Sequence, residues 1–100
     1  MPFRLEFTPR AEEDLQDLEF DEEKKDLDKL KKVRKCLGLL ENNPRHPGLH
    51  THEHEFLKGA NGEKVFEACV ENDTPTAWRV FWHYGPGRGI IKVVAITPHP

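Results

Sequence analysis

The chain has 100 residues, 15 basic and 18 acidic, a net charge of −3, and 36% apolar residues. That length and composition fit one domain with a modest core and argue against two domains or wholesale disorder. No apolar run approaches the roughly 18 residues of a membrane span, no signal-peptide core opens the chain, and two lone cysteines, Cys36 and Cys69, make no disulfide framework; a cytoplasmic setting, without a membrane, is expected.

Phe3, Leu5 and Phe7 alternate with Arg4, Glu6 and Thr8, which predicts a short half-buried strand. Thr8-Pro9 reads as an N-cap followed by proline at the first helical position. Ala11, Leu15 and Leu18 then fall on one face of a helix, with Glu12, Glu13 and Asp14 in the first turn, where the helix dipole favours acids. Asp21-Glu22-Glu23 marks a turn. Leu27, Leu30, Val33, Leu37 and Leu40 follow as the apolar stripe of a second helix that ends at Asn42-Asn43-Pro44. Residues 44–50 are a loop by their proline and glycine content.

His50, His52 and His54 alternate with Thr51, Glu53 and Glu55, as in a polar edge strand. After the turn at 58–62, Phe66, Ala68 and Val70 alternate with Glu67, Cys69 and Glu71. Trp78, Val80 and Trp82 alternate with Arg79, Phe81 and His83, and a glycine-rich hairpin loop at 85–89 leads to Ile90–Ile96, a run that suits a strand buried on both faces. The fold class is α+β: an N-terminal strand and a helical hairpin packed on a C-terminal antiparallel sheet, in the order β-α-α-β-β-β, with the histidine strand as an optional addition.

Charge is segregated. Residues 11–32 hold ten acids and five lysines, a solvated helical surface, whereas residues 77–100 hold Arg79, Arg88 and Lys92 and no acid. Any polyanion site therefore belongs to the C-terminal part. With Trp78, Val80 and Trp82 turned to the helices, Arg79, Phe81 and His83 share the open sheet face with Glu67, Cys69 and Glu71 of the neighbouring strand. Arginine can hold a phosphate bidentately, histidine can move a proton near neutral pH, and a carboxylate can act as base. An ordinary solvated face with an Arg79–Glu67 pair accounts for the same residues. His46, His50, His52 and His54 have a spacing from which two could ligate zinc or copper, but no cysteine pair or helical His-x3-His accompanies them. Surface histidines near a nucleic-acid or partner site fit the pattern better, and no metal is assigned. Cys69 beside His83 could be a nucleophile, yet no signature of cysteine catalysis surrounds it.

The ordered set of elements and motifs resembles the RelE/ParE toxin superfamily, the small toxins of bacterial toxin–antitoxin modules. The resemblance covers nearly the whole chain: Phe7-Thr8-Pro9-Arg10-Ala11, the helical hairpin, His46-Pro47-Gly48-Leu49, Leu57-Lys58-Gly59, Val65-Phe66-Glu67-Ala68, Ala77-Trp78-Arg79-Val80-Phe81-Trp82 and Ala95-Ile96-Thr97-Pro98-His99. It implies a ribosome-dependent endoribonuclease that inhibits translation, needs no cofactor, and cuts mRNA by attack of the 2′-hydroxyl on the adjacent phosphate. Its partners would be an antitoxin, the ribosome and mRNA, and exposed strand edges could support a homodimer. By the same resemblance Arg79 takes the phosphate, His99 acts as acid or base, and Glu67 is a base or orienting group. Lys58, His52, His54, His83 and Arg88 are candidate RNA contacts. Glu67 and Cys69 stand where RelE carries lysines, and with the net charge of −3 this keeps a non-catalytic RelE-fold binding protein in view, and behind it a gyrase-binding toxin of ParE type.

Overall fold

The computed structural model describes residues 2–20, 24–70 and 77–98. It contains β1 (Arg4–Phe7), α1 (Pro9–Phe20), α2 (Lys24–Asn42), a short 3-10 turn (Pro47–Leu49), β2 (His52–Lys58), β3 (Lys64–Cys69), β4 (Trp78–Tyr84) and β5 (Ile90–Pro98). The expected class and hairpin are present. The histidine segment is a full strand, so four strands follow the helices, and the turn expected at 72–75 lies outside the described residues.

The five strands form one sheet in the order β1-β5-β4-β3-β2. Strands β2 to β5 pair antiparallel, as their serial connections require. β1 joins the far side of β5 in parallel, from Arg4 opposite Ile90 to Phe7 opposite Val93. This pairing spans almost the whole chain, and the alternation of Phe3, Leu5 and Phe7 carries no information about it.

Both helices pack on one face of the sheet. The Thr8 hydroxyl accepts the backbone N–H of Ala11 at 3.1 Å and donates to the carbonyl of Val94 at 3.0 Å, so one side chain caps α1 and ties it to β5. Asp14 Oδ2 accepts the backbone N–H of Ile96 at 2.9 Å, a second link between these elements. Ala11 and Leu18 of α1, and Leu30, Val33, Cys36, Leu37 and Leu40 of α2, are buried against Ala68, Val80, Trp82, Ile91, Val93 and Ile96 of the sheet. Leu27 is 46% exposed, so the buried stripe of α2 begins one turn later than its apolar pattern.

On the opposite face lies a smaller cluster of Val65, Phe81 and Ala95, with Val94 packed against it. A register shift between Phe81 and Trp82 pairs Phe81 with Ala95 but Trp82 with Val93, leaving Val94 as an extra residue. The bulge changes the side-chain phase of β5: Ile91 and Val93 belong to the helix-side core, as does Ile96, whereas Val94 and Ala95 join the other cluster. Burial of β5 on both faces is therefore confined to the part around the bulge, and Lys92 and Thr97 stay half-buried.

Candidate active site

The face away from the helices is the open one, and alternation in β3 and β4 brings Glu67, Cys69, Arg79, Phe81 and His83 to it. Cys69 stands opposite Arg79, and Glu67 opposite Phe81. Glu67 is thus the diagonal neighbour of Arg79, about 7–8 Å away along the pleat. On the other side Arg79 faces Thr97 of β5. Its guanidinium is half-buried, and Nη1 donates to the carbonyl of Trp78 at 3.1 Å.

Glu67 is 3% exposed although it is a carboxylate on an open sheet face. The edge strand explains this. His52 pairs with Glu67 across the β2–β3 ladder, and its Nε2 lies 2.8 Å from Glu67 Oε2. His54 Nε2 approaches Oε1 at 3.6 Å, and its ring meets Phe81 edge-on at 5.8 Å. A buried carboxylate is costly without such partners.

The second ring nitrogens define the protons. His54 Nδ1 accepts the backbone N–H groups of Phe56 and Leu57, at 3.3 and 3.1 Å, which leaves its proton on Nε2, the atom that approaches Glu67. His52 Nδ1 lies 3.1 Å from the carbonyl of His50, an acceptor only, so this nitrogen carries a proton. Its Nε2 is the nitrogen turned to Glu67. The result is a His52–Glu67 dyad, backed by His54, in which a proton can be given or taken at one place on the open face.

The other candidates are more scattered. His83 is on the same face but four residues along β4 from Arg79, and it is 4% exposed. Its Nδ1 lies 3.0 Å from the carbonyl of Tyr84 and 3.9 Å from Glu63 Oε2, and its ring lies where a Cβ on Gly59 would stand 3.0 Å from it. Backbone N–H groups of Glu63 itself and of Asn61 hold the Glu63 carboxyl below the usual range, with His83 adding a smaller pull. His83 thus serves the β2–β3 turn and is not adjacent to Cys69. Lys58 sits at the exposed end of β2, 3.9 Å from Glu53. Arg88 is exposed in the β4–β5 loop, at the opposite end of β4 from Arg79. His99 lies outside the described residues.

Cys69 is half-buried, with Sγ 3.9 Å from the His50 carbonyl. Cys36 is buried in the helix-side core, where loss of solvent pushes its thiol up to about 12. Among the described residues no group of three or more His, Cys, Asp or Glu side chains is arranged to hold a metal ion. None of the described helices is long and apolar enough to cross a membrane. The grouping of His52, His54 and Glu67 is what sequence reasoning missed, although its signal is the His-x-His alternation set against the single acid of Val65-Phe66-Glu67-Ala68.

No protein-family model matches the chain, and a search of curated proteins returns no match. Solved structures do match it over nearly its whole length. The YoeB/ParE toxin from Agrobacterium tumefaciens superposes with a TM-score of 0.69 at 11% identity, covering 97% of this chain and 99% of its own. The YafQ–DinJ toxin–antitoxin complex of E. coli gives 0.66 at 16% identity, covering 99% of this chain and 94% of the matched one. The archaeal RelE–RelB complex from Pyrococcus horikoshii OT3 gives 0.64 at 15% identity, with 98% and 96% covered. The chain has the fold of RelE-type toxins.

Proposed function

We propose that this chain, built on the RelE toxin fold, is a ribosome-dependent endoribonuclease that cuts mRNA without a metal. The observation that carries the reading is the buried Glu67, held by His52 and His54 and placed diagonally from Arg79 on the face the helices leave open. Cleavage within RNA needs a base to take the proton of the 2′-hydroxyl, a cation for the charge gathering on the phosphate, and an acid for the departing 5′-oxygen. Arg79 supplies the cation. The His52–Glu67 dyad takes the 2′-proton, and His99 returns one to the 5′-oxygen. The new 2′-O–P bond and the broken P–O5′ bond leave a 2′,3′-cyclic phosphate and a free 5′-hydroxyl.

The toxin role implies an antitoxin. Matching structures include toxins solved with RelB and with DinJ, and a YoeB dimer from Staphylococcus aureus. This chain exposes Phe20 on α1 and Phe56 on the edge strand, at 81% and 89%, which a protein partner or a second copy would cover. The second reading, a RelE-fold protein that binds without cutting, is favoured by the net charge of −3, since RNA contacts are largely phosphate contacts.

Primer extension on a message under translation in a reconstituted system separates the two. Cuts at A-site codons that require ribosomes, carry 2′,3′-cyclic ends and vanish with Arg79→Ala fit the endoribonuclease. An uncut message bound to ribosomes, with folded protein present, fits the binder.

A further inference from the structure

On the other side of the sheet, residues of the loop at 44–51 and of β3 and β4 line a half-open cavity of about 530 Å³. This falls within the roughly 300–1,000 Å³ of small-molecule sites. Phe66, Trp82 and Tyr84 form one wall, their rings mutually in contact at 4.9–6.0 Å between centroids. Two polar atoms of the lining residues are buried with no hydrogen-bond partner among the described residues: the indole Nε1 of Trp82 and the hydroxyl of Thr51. Trp82 is 1% exposed. Trp82 therefore backs the wall from within, and Phe66 and Tyr84 present its surface.

The loop supplies the complementary charge. Arg45, His46 and His50 line the same cavity, and no acid does. The 3-10 turn fixes the His46 tautomer: Nδ1 accepts the backbone N–H of Gly48 at 2.9 Å, which leaves Nε2–H as a donor. A fitting ligand therefore has a flat body for the aromatic wall and an anionic group for the guanidinium and imidazole.

We propose that this cavity binds a nucleotide, base inward against Phe66 and Tyr84 with Trp82 behind them, and phosphate on Arg45 and His46. The base can belong to a free nucleotide or to an unstacked position of single-stranded RNA; the recognition chemistry is shared. The site is on the opposite sheet face from Arg79 and uses none of its residues, so it stands or falls separately from the ribonuclease reading.

The test is a titration of 15N-labelled protein followed at the two tryptophan indole N–H resonances, assigned with Trp78→Phe. Uridine 5′-monophosphate is expected to move the Trp82 resonance saturably, uridine to do so more weakly, and inorganic phosphate to leave it in place. Arg45→Ala should weaken the monophosphate about tenfold, the value of one hydrogen bond to a charged group. A tetrauridylate that competes more tightly than the monophosphate identifies RNA as the source; one that competes less well identifies the free nucleotide. A Trp82 resonance that phosphate alone shifts equally, or that nothing shifts in a folded protein, overturns the proposal.

Discussion

Glu67 carries the account at the scale of single residues. Its carboxylate is 3% exposed and 2.8 Å from His52, so its substitution has two separable effects. Glu67→Gln keeps the shape and removes the proton acceptor: cleavage is expected to fall by about a hundredfold, in the range of a lost general base, while the circular dichroism spectrum stays native. Cys36 gives a second residue-scale expectation. Its thiol is pushed up to about 12 by burial, so the reactive thiolate is scarce at pH 8. Cys36 should be silent to Ellman's reagent in the folded protein and react only on unfolding, and rapid labelling of both cysteines in native protein would contradict its placement. The sequence offers Cys36 only as one of two lone cysteines. It left Glu67 with two readings, because a carboxylate's partner on an adjacent strand depends on register, and register is not printed in a hydrophobic pattern.

Among elements, the edge strand β2 is held through its ladder to β3. Of its seven residues only His54 is even half-buried, and its ladder to β3 is irregular between Glu53 and Lys58. The His52 and His54 contacts with Glu67 therefore anchor it. Glu67→Ala should raise amide hydrogen exchange across 53–57 while leaving β4 and β5 protected; unchanged exchange would show that the backbone ladder suffices. The junction of β1 and α1 rests on Thr8, and Thr8→Val, which removes both the cap and the link to Val94, should lower stability by about 1–2 kcal/mol in denaturant unfolding. The helices, the polar histidine strand and the two-faced β4 were all legible from spacing alone. The parallel docking of β1 on β5 and the bulge at Val94 were not. One depends on a partner 86 residues away, the other on a single extra residue inside an almost uniformly apolar run.

For the whole molecule, the sheet separates two chemistries. Helices and core occupy one face, where Trp82 meets Phe66 and Tyr84. Trp82→Ala should cost about 3–5 kcal/mol, a large share of the 5–15 kcal/mol that holds a domain together, and a thermal melt near that of the unmodified protein would mean the core is not centred there. The other face carries Arg79, the His52–Glu67 dyad and the Val65–Phe81–Ala95 cluster. The net charge of −3 is unevenly spread: ten acids fall within residues 11–32, whereas residues 77–100 hold three basic residues and no acid. The measurement that tests the central claim most directly is single-turnover cleavage of ribosome-bound mRNA by the unmodified chain, Arg79→Ala and Glu67→Gln side by side. Cleavage by the first and a loss of about a hundredfold or more in both variants, each still folded, is the predicted result. An intact message with the unmodified chain, or cleavage by Glu67→Gln at the unmodified rate, would contradict the account.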